Sequence, residues 1–140
     1  MNGYNGLGGG GLTTADLDTY LRAAQFETSP SVNVTGGVGG GAKGAWVQLI
    51  ASTARKYNWL VVFERSGTIE TYTTDIGTGA AAAEVVLIPD IEYNIVTVVG
   101  QTERFEIYKC AIASGTRISA RTSTPGGGSD IIVVGIIGIG

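Results

Sequence analysis

TPGGGSDIIVVGIIGIG, residues Thr124–Gly140, holds the stretch on which the fold turns. Beyond Asp130 it carries only Ile, Val and Gly. A membrane-spanning helix needs about 20 apolar residues, and Ile131–Gly140 is half as long. Gly135 and Gly138 weaken a helix further, while the β-branched Ile and Val around them favour a strand. Ile131, Val133, Ile137 and Ile139 occupy one parity and Ile132, Val134 and Ile136 the other. A strand apolar on both parities is covered on both faces. The protein's own core covers one face, and a partner is expected on the other. Alternation alone does not rank the two parities.

The rest of the composition agrees with a chain that works under cover. Its 140 residues make one domain with a core of its own. Charged residues are only 15% against 23 glycines, and mean hydropathy is +0.23, so few charges are available to solubilise a wide surface. A net charge of −3, with scattered Lys and Arg, argues against a nucleic-acid partner. Cys110 is the single cysteine and there is no histidine. That excludes an internal disulfide, cysteine-held zinc, His-ligated metals and Ser-His-Asp or Cys-His catalysis. The start, MNGYNGLGGGG, lacks the basic and apolar regions of a signal peptide.

Three regions follow along the chain. Met1–Gly11 is a Gly-Asn arm with too little to bury, expected to order only on docking. Thr13–Phe26 carries Leu17, Tyr20, Leu21 and Ala24 at helical spacing, which predicts a short amphipathic helix. Asp16 and Asp18 suit its N-terminus. From residue 31 the pattern is short strands between Gly- and Ser-containing turns. Strands are expected at 31–35, 45–53, 58–64, 68–74, 84–88, 94–99, 104–112, 117–123 and 131–139. Arg65-Ser66-Gly67 and Ser114-Gly115-Thr116 look like hairpin turns. Short strands at such spacing indicate an all-β sandwich or barrel, here preceded by a Gly-rich arm and one helix. The expected division is residues 1–30 for arm and helix and 31–140 for the sandwich.

No motif brings chemistry with it. Gly39–Gly44 formally matches G-x-G-x-x-G, but AWVQLIAS follows with a strand pattern, where a pyrophosphate site needs a helix. Glu64, Glu70, Asp75, Glu84, Asp90 and Glu92 are the carboxylates a glycosidase could use, and nothing pairs any two of them. No D-x-D-x-D-G loop offers a calcium site. Trp46 and Trp59 lie in apolar company and read as core or interface, with sugar stacking as the other use. The chain is therefore read as a non-enzyme with no cofactor and no metal.

Three runs resemble a known family: KGAWVQLIASTARKYNWLVVFE (Lys43–Glu64), GTGAAAAEVVLIPDI (Gly77–Ile91) and SGTRISARTSTPGGGSDIIVV (Ser114–Val134). They are similar to the jelly-roll cementing, or decoration, proteins that bind outside the heads of tailed bacteriophages. The resemblance covers about residues 31–140. It implies a two-sheet jelly roll whose last strand pairs with the first, a homo-oligomer, and a virion protein made in the host cytoplasm that bridges neighbouring major capsid subunits. Related modules in phage tails and fibres imply the alternative, a glycan-binding component. Self-association as a dimer or trimer is expected from the residues as well, with no nucleic-acid or membrane partner. Leu17, Tyr20, Leu21 and Ala24, with Ile132, Val134 and Ile136, are the residues expected at interfaces.

Overall fold

A computed structural model describes residues 13–15, 26–66, 68–96, 102–127 and 130–140. The strands are β1 (Phe26–Thr28), β2 (Val32–Thr35), β3 (Val47–Ile50), β4 (Tyr57–Ser66), β5 (Thr71–Thr78), β6 (Val85–Asn94), β7 (Thr102–Ile112), β8 (Ile118–Ser123) and β9 (Ile131–Ile139). All pairings between these strands are antiparallel. One sheet runs β1-β9-β4-β7, with β2 also on β9; the other runs β3-β8-β5-β6.

The chain changes sheet at every connection from β2 to β9 except β5 to β6. Two sheets, of five and four strands, wound in this way are a jelly roll. The C-terminal run is thus a sheet strand between β4 and the β1–β2 edge, and Thr35 pairs with Ile131 as the resemblance implied. The turn at Ser114–Thr116 is no hairpin, because β7 and β8 lie in different sheets. It is a crossing, with Gly115 at φ +80. Ser66 likewise ends β4 where the chain leaves for the second sheet.

Inward side chains explain the packing. Leu60 and Val62 of β4 and Ile132, Val134 and Ile136 of β9 meet Tyr72, Ile76, Ile118 and Ala120 of the second sheet in one core. Gly138 is inward too. A Cβ there would stand 2.2 Å from the buried Tyr57 ring, so only glycine leaves room for it. The Tyr57 hydroxyl donates to Glu27 at 2.5 Å, and the Ala54 amide donates to the same carboxylate at 2.9 Å, which ties β1 down.

Three expectations change. Phe26, expected to end the helix, opens β1, so the sandwich begins before residue 31. The run expected at 84–88 continues through a bulge to Asn94 as β6, and of the run expected at 94–99 only Asn94 lies in a described strand, residues 97–99 falling outside the described residues. The glycines after Val38 are not a slack loop: a Cβ on Gly44 would lie 2.0 Å from the Thr35 carbonyl, and one on Gly40 2.4 Å from that of Pro125. Here glycine allows backbone to pack on backbone. The expected helix over Thr13–Phe26, with Leu17, Tyr20, Leu21 and Ala24, otherwise falls almost wholly outside the described residues.

Candidate interaction surface

Successive residues of a strand point to opposite faces. The parity that leaves the core therefore defines the outer face of the first sheet. On β4 it comprises Trp59, Val61, Phe63 and Arg65; on β7, Phe105, Ile107 and Lys109; on β9, Ile131, Val133, Ile137 and Ile139. Register arranges them in rows. Ile139, Trp59 and Lys109 form one row, Ile137, Val61 and Ile107 the next, and Gly135, Phe63 and Phe105 the third. Val133, Arg65 and Glu103 form the fourth. Phe26 extends the first row across β1.

Only Arg65, Glu103 and Lys109 bring charge to these four rows. Of the apolar remainder Phe105 is 62% exposed and Ile107 58%, while Val61 at the centre is buried. Phe26, Trp59 and Ile131 are exposed as well. From strand spacing and rise, three strands by four rows give a flat footprint of roughly 400 Å². That lies within the range of the largest apolar patch of a monomer, about 300–600 Å², a patch that is often functional.

The face has relief. Phe63 and Phe105 tilt against each other with ring centroids 6.0 Å apart. Beside them Gly135 presents no side chain, and the edge strand bends around it through Ser29 and Ser31. The Ser29 amide donates to the Ile136 carbonyl at 2.9 Å, and the Ile136 amide donates to Ser29 Oγ at 2.9 Å. A hollow of about 240 Å³ results, lined by Thr28, Ser29, Ser31, Phe63, Gly135 and Ile137 among others.

Ile132, Val134 and Ile136, expected at the interface, belong instead to the core, where each is at most 1% exposed. The outward set is the other parity: Ile131, Val133, Ile137 and Ile139. Trp59 reaches this face. Trp46 does not, because it precedes β3 and folds back over the second sheet, where a Cβ on Gly77 would stand 2.6 Å from its ring.

The middle of the second sheet's outer face, over β5 and β8, is closed by its own chain. The Arg121 guanidinium lies 4.5 Å from the Trp46 ring centre. Asp75 accepts from Lys43 Nζ at 2.8 Å, from Arg121 Nε at 2.9 Å and from the Asp90 amide at 2.9 Å. Burial pushes the Asp75 carboxyl up, but the Asp90 amide, Lys43 and Arg121 together hold it below the ordinary aspartate value. Asp90, at φ +50, sits at the bulge of β6 and also receives Lys43, at 3.0 Å. These two candidate carboxylates therefore meet, on a shared lysine. Glu84 meets Arg117 at 2.6 Å.

Where the free edges β6 and β7 part, an open cleft of about 630 Å³ is lined by Asp90, Glu92, Tyr93, Arg104, Glu106 and Tyr108 among others. Arg104 stands 5.9 Å from the Tyr93 ring centre and pairs with Glu106, to which Tyr108 donates its hydroxyl proton. Nearby, Glu64 points inward from β4 at 2% exposure, and its Oε1 has no hydrogen-bond partner among the described residues. Burial raises its carboxyl to about 7, against hydrogen bonding from Thr74 and the charge of Arg104. Cys110 is half-buried against the core and burial raises its thiol. Among the described residues no three Cys, Asp or Glu gather as a metal site. No helix there is long and apolar enough to cross a membrane.

No protein-family model matches the sequence, and no curated protein matches it. Solved structures resemble the chain at low identity and with TM-scores under 0.5. A chain of infectious bursal disease virus, Gx strain, is 11% identical with a TM-score of 0.48, over 81% of this chain and 32% of that one. The present chain thus spans about a third of its length. The CBM35 module of Paenibacillus barcinonensis is 12% identical with a TM-score of 0.44, over 79% of this chain and 90% of the module. Murine APRIL is 9% identical with a TM-score of 0.43, over 83% of this chain and 99% of that one.

Proposed function

We propose that this protein is a non-enzymatic structural component of a tailed-phage virion that binds the outside of the capsid and cements neighbouring major capsid subunits. The observation that carries the reading is the bare apolar face of the first sheet. An apolar patch of this kind, with three charges in four rows, is often functional, and contact with a partner in an assembly is the use it supports. The jelly roll agrees with the resemblance to decoration proteins, as an analogy of fold. In this reading the Gly-rich arm and the stripe of Leu17, Tyr20, Leu21 and Ala24 reach an adjoining shell subunit. Repetition around a symmetric particle offsets the cost of ordering them.

Fractionation tests this directly. After tails are removed from particles, the protein is expected to stay with the shells and to rebind stripped ones. Co-purification with tails alone overturns the assignment. The cleft at β6 and β7 favours a second reading, a glycan-binding virion component, because Tyr108 and Arg104 there stand beside several carboxylates. Binding of the isolated protein to a glycan array, lost in Arg104→Ala, would replace the first reading with this one.

A further inference from the structure

The outer face of the first sheet holds a protrusion and a hollow in the same row. Phe105 on β7, opposite Phe63, stands clear of the surface at 62% exposure. Gly135 on β9, also opposite Phe63, marks the hollow of about 240 Å³. The two flank β4 symmetrically, one strand away on either side. We infer that a second copy of this chain covers the face through a two-fold axis running along β4, seating each Phe105 in the Gly135 hollow of the other copy.

The geometry follows from the strand order. Rotation by half a turn about an axis parallel to β4, midway between two facing sheets, lays β9 of one copy over β7 of the other. Residues in the third row then meet as Phe105 on Gly135, Phe63 on Phe63 and Gly135 on Phe105. Such an interface is isologous: if one residue contacts another, the reverse contact is made too. Packed sheets stand about 10 Å apart, a gap normally shared by side chains from both sides. Opposite a glycine the phenyl ring meets no Cβ, only the edge at Ser31 and Ser29, whose Oγ atoms lie 3.1 and 3.8 Å from where one would stand. In the next row the same rotation places Ile107 over Ile137 and Val61 over Val61, so the apolar rows cover one another.

Size bears on the occupant as well. The footprint of roughly 400 Å², before side-chain relief is counted, is about half of the ~800 Å² of accessible surface that each partner of a standard interface buries. In the row beyond the hollow the same rotation lays Arg65 over Arg65 of the other copy, with a Glu103 one strand aside from each. A shell protein would need only a face complementary to this one. That this face carries both members of a complementary pair, at equal distances from one strand, is what favours its own copy as the occupant.

Sedimentation velocity of the full chain at tens of micromolar is the test, run beside co-sedimentation with tail-free shells. Wild type is expected to be a dimer. Phe105→Glu, at an exposed position, is expected to keep the fold and to raise the dimer dissociation constant at least about tenfold. Gly135→Leu, which fills the hollow, is expected to do the same, and Phe105→Ala in the Gly135→Leu background to restore association. Should Gly135→Leu fail to fold, since a Cβ there already lies 3.1 Å from Ser31 Oγ, Phe105→Glu decides alone. A monomeric wild type, or a dimer indifferent to Phe105→Glu, overturns the inference. A wild-type monomer that still binds shells would leave the proposed function standing. A Phe105-dependent dimer that ignores shells would keep this inference and remove that function.

Discussion

On the two middle strands of the second sheet outward polar residues are buried, with Ser119 at 0% and Asp75 at 3% exposure; on the first sheet outward apolar residues of β7 are open, with Phe105 at 62%. Both faces depart from the polar-out rule for a solvated sheet face, in opposite senses. The second is sealed within its own chain: Trp46 lies over Gly77, Arg121 lies over Trp46, and Lys43 and Arg121 neutralise Asp75. Nothing among the described residues does this for the first. The difference separates two uses of a sheet face. The sealed one stabilises the monomer, and the bare one is available to a partner. Substitutions on the two faces should therefore divide between stability and association.

The largest expected effect lies on the sealed face. Asp75→Ala leaves Lys43 and Arg121 without their shared carboxylate and the Asp90 amide without its acceptor. Removing one member of a buried ion pair costs about 3–5 kcal/mol; partial exposure of both cations points to the lower end, about 3 kcal/mol. Urea unfolding at neutral pH reads it, and an unchanged midpoint would mean that the network is ornamental. Because the Asp75 carboxyl is held below its ordinary value, its contribution is present above about pH 4 and is lost as pH falls through the depressed value.

Glu64 should show the opposite slope. Its folded value, about 7, lies above the ordinary 4.5, so the stability of the protonated form is full below the ordinary value and is lost as pH rises toward 8. The interval corresponds to roughly 3 kcal/mol. Glu64→Gln removes the charge and should flatten stability between pH 5 and 8, with a gain of roughly 2 kcal/mol at the alkaline end. If wild type and variant run parallel across that range, Glu64 is not the buried carboxyl described here.

How much of this contrast could be read in the sequence depends on the residue. Ile131–Ile139 was legible as a strand, with the observed bounds, because β-branched residues at both parities leave no other economical reading. The same uniformity hid which parity faces out. Ile and Val look alike on either side, and the deciding contact, the Tyr57 ring against Gly138, joins strands far apart in sequence. β1 was hidden because Phe26 closes the run read as a helix, and the strand it opens is only three residues long. Trp46 was placed in a strand, and its actual use depends on Gly77, some thirty residues away. Local pattern carries the elements, while long-range packing decides which face stays bare.

A smaller effect should follow from unsealing the second face without touching its charges. In Gly77→Ala the new methyl would meet the Trp46 ring, whose nearest atom lies 2.6 Å from the ideal Cβ position. The ring has to move off the strand, and Arg121 loses its stacking partner. Overpacking of this kind costs about 1–3 kcal/mol; a half-exposed ring can yield, so about 1 kcal/mol is expected. Tryptophan emission should shift to the red. An unmoved spectrum would show that the ring does not lie on the strand.

On the bare face the expected effect on the monomer is the smallest of all. Ile107 is 58% exposed, so Ile107→Thr removes little apolar area from a buried environment, and Thr keeps the β-branched shape that suits a strand. The monomer's stability should change by no more than about 0.5 kcal/mol, the range of ordinary surface substitutions. Association is a separate quantity. If the face is covered by a second copy, dimerisation adds to apparent stability by mass action, and the wild-type melting temperature rises with protein concentration. Ile107→Thr should weaken that rise while matching wild type at high dilution. Thermal scans over a hundredfold concentration range distinguish the cases. Curves that differ at every dilution would place Ile107 in the monomer's own packing, and the two faces would no longer differ in kind. Curves that meet only at low concentration would locate its contribution between chains.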